Sequence, residues 1–323
     1  MIAPQRISVV IPVYGGEKTL PVLISELRAL TELQVTADGN RFFLCEVLLV
    51  HDCGPDRSDI VISELEGEHD FVRAIWLSRN FGQHAATMAG MASATGDWVV
   101  TMDEDGQQDP LSIGALLDHA TREALQLVYA QPLNSPPHGK LRNFFSGVAK
   151  IISSRVLGNR KIGRFNSFRL IDGEIARTLS AYCGNGVYLD VGLFWIAGRV
   201  GHSPILLRRE FERPSGYSFF SLVRHFWSLV LTTGTRPLRL ITIVGFFSVL
   251  LAIGFVGYAI YEKFTGRVSV SGWTSLAVVV AFFSGVILMA LGVIAEYLAV
   301  TMGIVMGKPL YVVTSKPSRG SRS

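Results

Sequence analysis

The stretch Val99-Val100-Thr101-Met102-Asp103-Glu104-Asp105-Gly106-Gln107-Gln108-Asp109-Pro110 decides how this chain is read. An apolar β-type run stops abruptly in three carboxylates, followed by Gly, two Gln, Asp and Pro. In an open α/β sheet, ligands bind just outside the carboxyl ends of the strands. Acids placed there suit a divalent cation and the phosphates it bridges, because Mg2+ is held by one or two carboxylates plus substrate oxygens. A lone D-x-D is equally a solvated acidic turn, so the choice falls to what the rest of the chain brings beside it.

Residues 7–13 are β-branched and apolar, with Pro12 near their end, and predict a buried central strand of a parallel sheet. Tyr14-Gly15-Gly16-Glu17 is a tight turn, and 18–33 carries apolar residues at helical spacing. A second strand, 45–50, ends in His51-Asp52-Cys53-Gly54-Pro55-Asp56, and a helix covers 58–66. A third strand, 72–77, ends in Ser78-Arg79-Asn80-Phe81-Gly82. A small-residue helix over 83–94 and a fourth strand over 98–102 follow. Alternation at this spacing predicts βαβ units. Three strands therefore end in polar residues: Asp52, then Arg79 and Asn80, then Asp103 and Asp105. Such ends gather on one edge of a parallel sheet, which turns the acidic turn into a candidate site.

Further along, 110–123 predicts a helix opened by Asp109-Pro110, 127–130 a short strand, and 140–157 an amphipathic helix with basic ends. Residues 166–172 predict a strand, 173–181 a helix, 188–196 an apolar segment and 202–211 a strand. Residues 208–217 form a charged Gly/Pro loop, and 219–231 an aromatic amphipathic helix suited to a membrane interface. The solvent then changes. Residues 240–261 and 276–295 carry no charge, and each is long enough to cross a roughly 30 Å hydrocarbon core. The short link between them predicts a hairpin. Arg224, Arg236 and Arg239 precede the pair and Lys308, Lys316, Arg319 and Arg322 follow it, against only Lys263 and Arg267 in the link. The positive-inside rule puts both termini and the N-terminal domain on the cytoplasmic side. Glu296 falls at the cytoplasmic end of the second span.

The bulk numbers agree. Only 17% of the 323 residues are charged, against about 25% in soluble proteins. The net charge of +4 is compatible with anionic lipid or phosphate partners. No aromatic-basic interleaving of the kind used for single-stranded nucleic acid is present, so nucleic acid is not an expected partner. Cys45, Cys53 and Cys183 form no C-x-x-C and read as reduced, structural residues. The N-terminus enters a strand pattern almost at once, which predicts no signal peptide. The seven His show no metal-ligand spacing, and no Ser-His-Asp constellation is visible.

Together, Met102 to Pro110, the run Arg79-Asn80-Phe81-Gly82-Gln83-His84, the opening Val10-Ile11-Pro12-Val13-Tyr14, residues 166–170, Thr235-Arg236-Pro237-Leu238-Arg239 and the two-span C-terminus resemble one family. It is that of the family 2 inverting glycosyltransferases with the GT-A fold. The likeness is greatest to the polyprenyl-phosphate glycosyltransferases, among them the dolichol-phosphate mannose synthases and the bacterial undecaprenyl-phosphate glucose and aminoarabinose transferases. The resemblance implies a Rossmann-like, mostly parallel α/β sheet domain over 1–217. Beyond it come an amphipathic juxtamembrane helix and linker over 218–239, two transmembrane helices within 240–300 (about 240–261 and 275–298), and a basic cytoplasmic tail over 301–323. The protein would sit in a membrane, the bacterial inner membrane by likeness to that branch, with a tetramer as one possible assembly.

The resemblance also implies roles. Pro12, Tyr14, Glu17, Asp52, Arg79, Asp103 and Gln107 would contact the donor nucleotide or its diphosphate. Asp105 would ligate Mg2+ or Mn2+. Arg209 or Arg213, with Ser215 and Tyr217, would grip the acceptor phosphate, so Asp103, Asp105, Arg209 and Arg213 are the candidate catalytic residues. His51, Gly16 and Glu104 depart from the family pattern, and Glu104 receives no role. The implied reaction moves a sugar from a nucleotide-diphosphate sugar, UDP-sugar favoured, to a polyprenyl phosphate with inversion. A glycosyltransferase using another acceptor and a membrane-anchored, inactive nucleotide-sugar binding protein are the alternatives.

Overall fold

The computed structural model describes residues 3–133, 165–184, 188–208, single positions between 245 and 265, and 273–316. β1 (Gln5–Val13) leads into α1 (Leu20–Arg28), β2 (Gln34–Val35), β3 (Arg41–His51), α2 (Ser58–Glu68), β4 (Val72–Leu77), α3 (Gln83–Ser93) and β5 (Trp98–Thr101). A 3-10 turn (Pro110–Ser112) opens α4 (Ile113–Arg122), and β6 (Leu127–Pro132) follows. Then come β7 (Arg169–Asp172), α5 (Gly173–Tyr182), α6 (Leu189–Ile196), β8 (Val200–Ile205), α7 (Trp273–Val305) and β9 (Val313–Thr314).

The described strands join in one sheet ordered β8-β6-β7-β5-β1-β3-β4-β9, with β2 antiparallel to the start of β3. β1 pairs in parallel with both β3 and β5, and β3 with β4, so the parallel centre is the one the strand–helix alternation predicts. Beyond β5 the sheet is mixed: β7 runs antiparallel to β5 and β6, and β8 parallel to β6. Strands of the centre are apolar on both faces because both faces are covered. Ile7, Val9, Ile11 and Val13 of β1 enter one core with α1, α2 and α4, while Val10 enters the other with α3, α5 and α6. The small residues of α3 let it lie close to β1. A Cβ on Gly90 would stand 2.3 Å from a methyl of Val10.

Several boundaries differ from the sequence expectation. β3 begins at Arg41 because Arg41 and Phe42 pair with β2 in a hairpin. The strand expected over 202–211 is β8, Val200–Ile205, after which the chain leaves the sheet. α7 extends to Val305, and its Phe282–Ala299 window has a mean hydropathy of 2.0 with none of it buried. Glu296 lies in the last turn of that window, and the helix runs on past it because residues 297–305 bring neither charge nor proline. At 33 residues the helix is about 50 Å long. Among the described residues it is the one helix long and apolar enough to cross a membrane. The expected helices over 140–157 and 219–231 lie outside the described residues, and the expected first span, 240–261, is described only at single positions.

After α7 the chain returns to the sheet. β9 pairs antiparallel with the end of β4, Trp76 facing Thr314 and Leu77 facing Val313, and the Ser78 amide donates to the Val312 carbonyl at 2.9 Å. Leu310 and Tyr311 pack on the core that holds α3. The segment expected to be only a basic tail therefore also supplies an edge strand.

Candidate functional site

Each strand of the parallel centre delivers one loop to the same edge of the sheet, and a set of carboxylate clasps ties those loops together. Asp52, 3% exposed, ends β3. Its amide donates to the Val13 carbonyl, and its two oxygens accept the amides of Phe81 at 2.7 Å and Gly82 at 2.8 Å. Burial raises its pKa, against the lowering effect of those two amides. Gly82 has φ +91°, a left-handed conformation that glycine adopts without strain. Asp52 therefore shapes the loop that carries Arg79, whose exposed guanidinium stacks 4.3 Å from the Phe81 ring centroid.

Glu17 joins the first two loops. Its amide donates to Asp56 at 3.0 Å, and its carboxylate accepts the Arg57 amide at 3.3 Å. Gly54 lies against the Tyr14 backbone, where a Cβ would come within 1.7 Å of the Tyr14 carbonyl oxygen. No side chain fits at that position. Pro12 sits in β1 opposite Val50, and Tyr14 follows the strand with about half of its surface exposed.

The acidic turn follows β5. Glu104, without a role in the sequence, folds back onto the first loop: its oxygens accept the Tyr14 amide at 3.0 Å and the Gly15 amide at 2.9 Å. A Cβ on Gly16 would stand 2.9 Å from one of those oxygens, which is why small residues occupy that turn. Asp103 is held from three directions. Gln83, from the start of α3, donates to one oxygen at 2.6 Å. Gln108 at 2.9 Å and the Ser167 hydroxyl donate to the other. Gln108 also accepts the Asp103 amide, and it donates to Ser167. Burial pushes the Asp103 pKa up, and the Asp105 charge adds to the rise. The Ser167 and Gln83 hydrogen bonds and the Arg169 charge oppose it. Asp105 is half-buried, and one of its oxygens accepts the Gln107 amide at 3.1 Å. Gly106, at φ +73°, allows that reversal.

Beneath the turn lies a buried charged layer. β7 pairs Arg169 with Thr101 of β5. The Arg169 guanidinium donates to the Thr101 hydroxyl at 2.9 Å and pairs with Asp190 of α6, which also accepts the Tyr129 hydroxyl at 2.9 Å. Arg169 and Asp190 are both almost wholly buried, so each needs the other.

Pro12, Tyr14, Glu17, Asp52, Arg79, Asp103, Asp105 and Gln107 thus lie on or just beyond the same edge, linked through Asp52, Glu17, Glu104 and Gln83. Arg209, Arg213, Ser215 and Tyr217 lie outside the described residues. Among the described residues no three His, Cys, Asp or Glu converge as a cation cage. Asp105 is a half-buried hard carboxylate on this edge, and one or two such carboxylates completed by substrate oxygens are the donor set Mg2+ accepts, so the residues present fit such an ion. Gln83, Gln108, Ser167 and Arg169 carry much of this geometry, and the sequence by itself assigns them no role. Of the adjacent pair Gln107 and Gln108, the one braced on Asp103 is the buried one, and only burial separates them.

The description "Glycosyl transferase family 2" matches residues 8–179. The SfII prophage-derived bactoprenol glucosyl transferase of Shigella flexneri is 26% identical over 98% of this chain and 100% of its own length. The undecaprenyl-phosphate 4-deoxy-4-formamido-L-arabinose transferase of Klebsiella pneumoniae (strain 342) is 30% identical over 96% of this chain and 93% of its own. Among solved structures, glucosyl-3-phosphoglycerate synthase from Mycobacterium tuberculosis, in complex with Mn2+, UDP-glucose and phosphoglyceric acid, superimposes with a TM-score of 0.50. It is 18% identical, covering 72% of this chain and 79% of that one, a likeness of fold.

Proposed function

The chain belongs to glycosyl transferase family 2, and from that premise we propose that it transfers a sugar from a nucleotide-diphosphate sugar to a polyprenyl phosphate at a membrane face. The observation that carries this reading is the union, in one domain, of an acid-lined sheet edge with a membrane-length apolar helix that returns to the same sheet through β9. The polyprenyl acceptor is drawn from the bactoprenol and undecaprenyl-phosphate relatives, which align over nearly the whole chain. A UDP-sugar is the favoured donor.

The return of β9 also bears on topology. The chain leaves the sheet domain after β8 and rejoins it at Val313, which favours a membrane part that begins and ends on the side of the sheet domain. If α7 is one crossing, a second is needed between 209 and 272, where 240–261 is the charge-free run. This supports the hairpin with both ends cytoplasmic.

The chemistry asks for charge and position more than for a strong base. Tyr14, Pro12 and Asp52 frame the side of the edge where the base would lie, with Glu17 and Arg79 on the flanking loops. Asp103, Asp105 and Gln107 form the side facing the diphosphate. A divalent cation on Asp105, when bound, supplies charge neutralisation for the departing nucleoside diphosphate. The acceptor is already anionic, since a phosphate monoester loses its second proton near pH ~6. Arg209 or Arg213, with Ser215 and Tyr217, would hold that phosphate in line behind the anomeric carbon, and attack from the far face inverts it. The deciding experiment is mass spectrometry of lipid products after membranes holding the protein are given polyprenyl phosphate and a panel of nucleotide sugars with Mn2+. A monoglycosylated polyprenyl phosphate from one donor is the expected outcome. No glycosylated lipid from any donor would overturn the reading.

A further inference from the structure

Arg208 is the last described residue beyond β8, and four contacts converge on it. Its amide donates to the Gln107 carbonyl at 2.9 Å. One terminal nitrogen donates to both oxygens of Glu26 on α1, at 2.8 and 2.7 Å. The other donates to Asp109 at 2.7 Å. Asp109 in turn caps the 3-10 turn through the Leu111 amide, and the Gln107 amide is the donor that holds Asp105. One residue thus pins the 105–109 turn by its backbone and by its side chain, and anchors it to α1.

Pairs this accessible, with the three side chains 26–34% exposed, contribute little to global stability. The planar fork of Arg, however, fixes direction in a way a Lys point charge does not. The positive charge also keeps Glu26 and Asp109 from repelling each other across the turn. We propose that Arg208 is a positioning residue: it sets the orientation of the Asp105 carboxylate toward the cation that bridges the donor diphosphate. The inference rests on the donor site described under the proposed function. It gives Arg208 a task separate from the phosphate-gripping one proposed for its neighbour Arg209.

The test uses the full-length protein in detergent, with UDP as probe, titrated by calorimetry with and without Mn2+, alongside the Mn2+ EPR spectrum. Arg208→Gln is expected to weaken Mn2+-dependent UDP binding about tenfold and to alter the bound Mn2+ signal, while metal-free UDP binding stays within twofold. Glu26→Gln is expected to weaken binding in the same direction, and adding it to Arg208→Gln should cost no more than Arg208→Gln alone. Arg208→Lys should fall between the wild type and Arg208→Gln. Unchanged Mn2+-dependent binding in Arg208→Gln would overturn the proposal. So would a parallel loss of metal-free binding and thermal stability, the mark of general loosening. If Arg208→Gln does not fold, Glu26→Gln and Arg208→Lys carry the same comparison. A wild-type protein that binds UDP under neither condition would instead count against the uridine donor reading itself.

Discussion

Glu46 and Asp103 are carboxylates set into opposite ends of the same sheet, and each is surrounded by hydrogen-bond donors. Glu46, 4% exposed, accepts the Ser8 hydroxyl at 2.8 Å and both the amide and the hydroxyl of Thr95 at 2.7 Å, and it pairs with Arg73. Burial opposes its charge, but these donors outweigh burial and hold its carboxyl below the usual range. Asp103 has three side-chain donors, yet its pKa is raised: burial leads, and the neighbouring Asp105 adds to it. The difference lies in the company each carboxylate keeps. Glu46 has its own cation and no acidic neighbour among its donors. Asp103 stands beside a second carboxylate, and Arg169, the described cation that lowers its pKa, is paired with Asp190. One end of the sheet is electrostatically closed. The other sets two carboxylates, Asp103 and Asp105, side by side, and perturbed pairs of this kind are the ones found at functional sites.

That contrast can be broken at either end. Asp105→Ala should lower the rate of glycolipid formation by roughly 10^3-fold with little change in melting temperature, because the loss falls on transition-state charge. A variant retaining most of the wild-type rate would remove the open end from the chemistry. Glu46→Ala should do the reverse. It leaves the Ser8 and Thr95 donors unpaired and Arg73 without its partner, at a cost of about 3 kcal/mol in denaturant titration, while activity per folded molecule holds. The smallest effect separates the two ends by pH. Asp103 protonates above the ordinary value of 3.8, so activity should fall as pH drops through that raised pKa. Ser167→Ala, which removes a donor to the charged form, should move this acid limb upward by under about one pH unit. Stability has opposite signs at the two ends. The Glu46 contribution is present above 4.5 and is lost as pH falls through its depressed pKa. The Asp103 contribution is present below 3.8 and is lost as pH rises through its raised pKa. A Ser167→Ala limb that coincides with the wild-type limb would detach Asp103 from the pH profile.

Much of this was readable in one dimension. The run Val72–Leu77 is a strand as the strand–helix alternation predicts, and Asp109-Pro110 opens a helical turn with the Asp109 carboxylate on the Leu111 amide. The gathering of Asp52, Arg79, Asp103 and Asp105 on one edge follows from parallel βαβ order alone. What could not be read was the partner of each acid. Glu104 has no role that its place in the sequence assigns, yet its carboxylate accepts the amides of Tyr14 and Gly15, about ninety residues earlier in the chain. Asp52 looks free to meet a base edge, yet both its oxygens bind the loop after β4. Arg208 and Arg209 are equivalent in sequence until Glu26 and Asp109 claim the first.

The sequence by itself determined the parallel α/β centre, the position of the acidic turn at a strand end and the apolar length of the C-terminal helix. Each of these depends on periodicity and on the order of apolar and polar residues along the chain. Only the tertiary structure decided which loop amides and side chains each carboxylate holds. It also decided that β7 reverses direction to bury Arg169 beneath the turn, and that residues after α7 come back as an edge strand. Those outcomes depend on hydrogen bonds and ion pairs between residues from about twenty to more than two hundred positions apart. A buried charge has to find its partner in space, and local pattern does not specify where that partner stands.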